Sequence, residues 1–153
     1  MAFNQPLAVL YTFTTYGTHL HGDERGSTHK EDGFVAPDPG RVEFHRRQLK
    51  FEPVIFTSQQ RETIDEAIRA FCAEKKWGLF AINVRTNHVH VVAKSGKSPA
   101  RSQAQLKAAA TKLLRERGLI ALDCPVWTEG ASTRYLYTQK AVDDACDYVA
   151  NWQ

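Results

Sequence analysis

The stretch RTNHVHVVAK, residues 85–94, restricts the fold more than any other part of the chain. Val89, Val91, Val92 and Ala93 surround two histidines placed two positions apart, and a run so rich in β-branched residues predicts a strand. Side chains at i and i+2 leave the same face of a strand. His88 and His90 therefore point one way, while Val89, Val91 and Ala93 turn to an opposite, packed face. Two neutral imidazoles side by side suit a divalent metal. The competing reading is a pair of polar residues on a solvated sheet face, or one histidine satisfying a buried hydrogen bond.

The rest of the chain supplies the setting for that strand. Leu7 to Tyr16 is rich in β-branched and aromatic residues and reads as a strand ending at Gly17. Residues 17–50, with GDERGS, APDPG and few periodic apolar positions, read as a long loop or insertion, with Arg41 to Leu49 a candidate helical stretch. Thr57 and Gln60 form a capping box, after which Ile64, Ala67, Ile68, Phe71 and Cys72 follow helical spacing. Trp77 to Arg85 is then a strand, Thr86 and Asn87 make a turn, and the histidine strand returns as the second arm of a hairpin. Ser98 and Pro99 open another helix, whose stripe is Leu106, Ala109, Ala110, Leu113 and Leu114 and whose end is Gly118. After a loop containing Pro125, Ser132 to Tyr137 is a short strand. Thr138 caps a last helix carrying Val142, Ala145, Cys146 and Val149.

The order β-α-β-β-α-β followed by a helix predicts an α+β fold, a ferredoxin-like split βαβ antiparallel sheet with two helices on one face. The histidine face is left for a ligand, a dimer partner or the last helix. With 153 residues and ordinary apolar and charged fractions, residues 1–153 are expected to form a single domain. No run approaches the roughly 18 apolar residues of a membrane span, and the amino terminus lacks a basic leader and a small-residue cleavage site, so a cytoplasmic, membrane-free protein is expected. Cys72, Cys124 and Cys146 show no CxxC spacing and read as thiols of the core.

A net charge of +3 says little, but its distribution says more. Between Lys94 and Arg117 there are seven basic residues against one acid, Glu116, an excess that would attract a polyanion. Lys107, Lys112 and Arg115 lie off the apolar stripe of their helix and are the candidates for backbone phosphate contacts; a merely solvated helix face is the alternative. A smaller basic patch comprises Arg41, His45, Arg46, Arg47 and Lys50. Arg134, Tyr135 and Tyr137 offer charge and stacking surfaces to unpaired bases, against ordinary strand packing.

Tyr148 stands on the flank of the last helix's apolar stripe, neither plainly core nor plainly outward. An amphipathic tyrosine closing the core is the plain reading. Combined with the histidines it suggests chemistry. A phenol is a poor nucleophile at neutral pH unless its proton is removed or the electrophile is polarised. A metal on two imidazoles could polarise a phosphodiester for in-line attack by the tyrosine, and the resulting phosphotyrosine would store the energy of the broken bond for a later rejoining.

The blocks FTTYGTHLHGDERGS, NVRTNHVHVV, GASTRYLYT and YVANWQ together resemble the single-tyrosine HUH transposases of small insertion sequences, including the REP-associated tyrosine transposases. In that resemblance His88, Val89 and His90 are the His-hydrophobic-His motif. It implies a ferredoxin-like nuclease and strand transferase acting on single-stranded DNA, with Mg²⁺ or Mn²⁺ as cofactor. It implies too that Tyr148 attacks a phosphodiester, stays joined to the 5′ phosphate and releases a 3′ hydroxyl. Members typically form homodimers and recognise imperfect hairpins at element ends.

The third metal ligand departs from the family pattern. Many relatives carry Gln or Asn four residues after the tyrosine, where this chain has Trp152. Gln153 and Asn151 are the two candidates, with Gln153 ranked first. A second HxH, His19 and His21 in THLHGD, sits in a glycine-bounded segment without the β-branched setting and is set below His88 and His90 as the metal site. A non-cleaving, domesticated hairpin-binding protein is the main alternative function. A replication or mobilisation nuclease and a non-catalytic metal-binding or dimerisation module are the others.

Overall fold

In the computed structural model, residues 5–18, 27–29, 33–35, 51–96 and 98–151 are described. The elements in chain order are β1 (Ala8–Thr14), β2 (Ser27–His29), β3 (Gly33–Val35), α1 (Ser58–Lys75), β4 (Gly78–Val84), β5 (His88–Lys94), α2 (Pro99–Glu116), β6 (Ser132–Leu136) and α3 (Gln139–Asn151). Strands β4, β5, β1 and β6 form, in that order, one antiparallel four-stranded sheet. This is the split βαβ, ferredoxin-like arrangement expected from the element order.

Helix ends follow their capping chemistry. Thr57 Oγ1 accepts from Gln60 N at 3.1 Å while Gln60 Oε1 accepts from Thr57 N at 2.8 Å, the reciprocal capping box read from the sequence. Ser98 Oγ accepts from Arg101 N and Thr138 Oγ1 from Ala141 N, which starts α2 and α3 where expected. Gly118, at φ +68°, closes α2, while α1 ends on Lys76 at φ +59°. Strand limits are shorter than the sequence suggested: β1 runs only from Ala8 to Thr14, with Thr15 making an isolated bridge to Trp127, β4 loses one residue at each end, and β6 keeps Ser132 but loses Tyr137. The segment after Gly17, expected as loop, contains the small β2–β3 hairpin. Arg41 to Leu49 lies outside the described residues.

Period-two alternation sorts the sheet into two faces. Val9, Tyr11 and Phe13 of β1 and Val89, Val91 and Ala93 of β5 pack with Ile64, Ile68 and Cys72 of α1 and Leu106, Ala110 and Leu114 of α2. The other face places Ala8, Leu10, Val92 and Leu136 against Val142, Ala145 and Val149 of α3. A sheet covered on both sides explains the unbroken apolar run Val91, Val92 and Ala93 that follows the histidines of β5 and precedes the exposed Lys94. Cys72, Cys124 and Cys146 are free thiols, and among the described residues no helix is long and apolar enough to cross a membrane.

Candidate functional site

Cross-strand partners share a face of a sheet. Asn83 of β4 pairs with His90 of β5, His90 with Thr12 of β1, and Thr12 with Ser132 of β6. The result is a polar row across all four strands on the face that α3 covers. His88, paired with Thr14, lies one step further along β5 on the same side.

The row is tied together and to the helix above it. Thr12 Oγ1 is 2.8 Å from His90 Nδ1, and Asn87 Oδ1 is 2.8 Å from His88 Nδ1. Asn83 Nδ2 donates to Val149 O at 2.9 Å, anchoring the last turns of α3 onto β4. That anchor sits next to Tyr148. The rings of His88 and His90 are 4.9 Å apart and those of His90 and Tyr148 are 5.5 Å apart, both edge to face. His90 is buried at 6% exposure whereas Tyr148 is 45% exposed, so the phenol stands at the open end of the histidine pair.

Burial, with the nearby His88 and Arg85 adding to it, pushes the His90 pKa down to about 4. At neutral pH the ring is uncharged. An imidazole titrating that low is a weak general base near pH 7 and suits the role of a neutral ligand better. Among the described residues no group of three His, Cys, Asp or Glu side chains gathers to hold a metal. The donor set present is two imidazoles, which suits a divalent metal completed by an amide, a phosphate oxygen or water.

A cleft of about 510 Å³ runs beside this row, its lining including Thr12, His90, Ser132, Arg134, Lys140 and Tyr148. Lys140 is highly exposed and 2.8 Å from Asp144 Oδ2. Its floor is apolar, from Leu10, Ala141 and Ala145.

Residues 48–151 match the family described as "Transposase IS200 like". The chain belongs to the IS200-like transposases. No curated protein sequence matches it. Among solved structures, one described as the REP-associated tyrosine transposase bound to a REP hairpin is similar at TM-score 0.55 and 10% identity, covering 97% of this chain and 67% of that one. Another, described as a transposase from Deinococcus radiodurans R1, is similar at TM-score 0.53 and 10% identity, covering 99% and 94%. At such identity these likenesses speak for the fold, and they agree with the four-stranded α+β architecture above.

Against this IS200-like frame, the residues singled out from the sequence divide into three groups. His88, His90 and Tyr148 come together within one chain, and Arg134 lines the adjoining cleft. Lys107, Lys112 and Arg115 stand instead on α2, in the layer on the opposite side of the sheet. Two of these three are engaged there: Lys107 Nζ donates to Thr128 O at 3.0 Å and to Gly130 O, and the Arg115 guanidinium donates to Cys124 O at 3.1 Å. Burial holds the Lys107 ammonium below its usual range, with Glu129 pulling the other way. Lys112 is exposed, 4.0 Å from Glu116. Asn151 ends α3 with its side chain exposed, and Gln153, His19 and His21 lie outside the described residues. Thr12, Asn83, Ser132 and Lys140 went unnoticed in the sequence. The first three are ordinary strand residues whose only signal is register.

Proposed function

We propose that this transposase cuts and rejoins single-stranded DNA through a 5′-phosphotyrosine formed on Tyr148. The observation that carries the reading is the contact of the Tyr148 ring with His90, itself beside His88, in a chain of the IS200-like family. His88 and His90 would hold a divalent metal, Mg²⁺ or Mn²⁺, with Gln153 or Asn151 as the third protein ligand. When bound, the metal supplies polarisation of the scissile phosphate and neutralises charge growing on its oxygens.

The chain's own groups would do the rest. Tyr148 Oη attacks phosphorus in line; the Oη–P bond forms as the P–O3′ bond breaks. The phenolic proton passes to solvent and the departing 3′ oxygen takes one up as a hydroxyl. The reverse reaction, with another 3′ hydroxyl, rejoins the strand and frees Tyr148. Arg134 and Lys140 flank the cleft and would draw the strand's phosphates toward the tyrosine. On the other layer Lys112, with Lys107 and Arg115 behind it, would contact more distant backbone, as expected for DNA that carries a hairpin. The structure described with a REP hairpin supports a folded DNA substrate of that kind. One domain would suffice for the chemistry, with two copies pairing the element ends in the cytosol.

The test uses labelled single-stranded DNA from the flanks of the protein's own gene, with Mn²⁺ or with chelator, beside Tyr148→Phe and His90→Ala. The expected result is a covalent protein–DNA band on a denaturing gel, dependent on metal and lost in both variants. Tight DNA binding with no adduct on any flank would instead identify a hairpin-binding protein that no longer cleaves.

A further inference from the structure

Each imidazole of the pair has an oxygen on its Nδ1, and the two oxygens arrive from unrelated places. Asn87 reaches His88 from the turn just before β5, and Thr12 reaches His90 across the sheet from β1, each at 2.8 Å. A neutral imidazole carries one proton and one lone pair, on opposite nitrogens. Asn87 Oδ1 can only accept, so His88 must donate from Nδ1 and keep its lone pair on Nε2. A threonine hydroxyl can donate or accept. If Thr12 donated, His90 would hold its proton on Nε2 and its lone pair would be spent on the hydroxyl, leaving no nitrogen to ligate. With Thr12 accepting, both rings carry the lone pair on the same atom.

We propose that Thr12 and Asn87 are positioning residues that fix His90 and His88 as Nδ1–H tautomers, making Nε2 the ligating nitrogen of both. The His88 assignment follows from the acceptor on its Nδ1, whereas the His90 assignment, like the consequence for metal affinity, rests on the reading of the histidines as metal ligands. Oxygen partners on the far nitrogen of a ligating histidine orient the ring and raise its basicity. β1 and the β4–β5 turn thereby become part of the site, although neither would touch the metal.

The experiment uses the full chain without DNA. Long-range ¹⁵N–¹H spectra read the tautomer of each neutral histidine, and calorimetric titration reads Mn²⁺ affinity. Wild type is expected to show both rings protonated at Nδ1. Thr12→Val keeps the shape and loses the hydroxyl; it should release His90 from that tautomer and weaken Mn²⁺ binding roughly 10–100-fold. Thr12→Ser, which retains an acceptor, should bind as wild type does; Asn87→Asp, whose carboxylate is the stronger acceptor, should bind at least as tightly, and Asn87→Ala should bind more weakly. A wild-type His90 protonated at Nε2, or Thr12→Val with undiminished Mn²⁺ affinity, overturns the inference. If Thr12→Val does not fold, the wild-type spectrum decides alone. A wild type with both Nδ1–H tautomers but no Mn²⁺ binding upholds the tautomer assignment and overturns the metal reading instead.

Discussion

The hydrogen bond from Asn83 Nδ2 to Val149 O is a polar clasp between the sheet and the residue that follows Tyr148. Val149 O lies near the C-terminal end of α3, where side chains commonly supply donors to the last carbonyls. Asn83→Leu removes the donor at similar volume. A side-chain hydrogen bond is worth about 0.5–1.5 kcal/mol net. Water can reach the exposed end of α3, so the expected loss is about 1 kcal/mol, which for a chain of this size lowers Tm by about 2–4 °C. The same energy multiplies the opening equilibrium of the last turn about fivefold. Hydrogen exchange followed by mass spectrometry should show that increase over residues 145–151 and leave α1 unchanged. Adduct formation should fall with it, because an unanchored turn holds Tyr148 beside His90 for less of the time. Mn²⁺ affinity serves as the control that the neighbouring His90 is undisturbed. Unchanged exchange in α3 with lower global stability would refute the argument, since Asn83 would then support β4 alone.

The burial of His90 makes stability depend on pH. Its folded pKa lies below the unfolded value of 6.5, so the unfolded chain binds more protons between about pH 6.5 and 4, and the contribution, at most about 3 kcal/mol, is present above pH 6.5 and lost as pH falls to about 4. Urea melts across that range should show His90→Asn with a flatter profile than wild type; parallel profiles would refute it. Lys76 holds a left-handed conformation at φ +59°, where a side chain is strained and glycine is not, so Lys76→Gly should raise stability by about 1 kcal/mol in the same melts. Lys107 and Lys112 should separate. Lys107→Met, which strips donors from the Thr128 and Gly130 carbonyls, should cost about 1–2 kcal/mol of folding stability. Lys112→Ala should leave stability within about 0.5 kcal/mol and lower the salt slope of DNA binding by about 1.

The fold was legible because its signals are local. Alternation in HVHVVA, the Thr57–Gln60 capping box and the Ser98–Pro99 and Thr138 helix starts each act within a few residues, and together they fix the element order from which the sheet topology follows. The β2–β3 hairpin escaped because three-residue strands carry too few positions for alternation to register. The two-residue spacing of His88 and His90 placed them on one face, and the flank position of Tyr148 hinted at a helix edge near them. Neither told which element would lie over them.

That information resides in register, which no local pattern encodes. Thr12 looks like any β-branched strand residue until β1 pairs with β5 and sets it beside His90, and Asn83 becomes meaningful only when α3 crosses β4. Basic residues mislead for the related reason that charge counted along a chain carries no face. Lys107 and Arg115 lie off the apolar stripe of α2 as periodicity requires, yet both turn to the carbonyls of the segment leading into β6. The excess of positive charge in α2 thus serves packing as well as field, whereas the cations flanking Tyr148, Arg134 and Lys140, come from β6 and α3. On the proposed function a strand drawn toward Tyr148 would meet those two first, and substitution there should slow adduct formation more than substitution anywhere on α2.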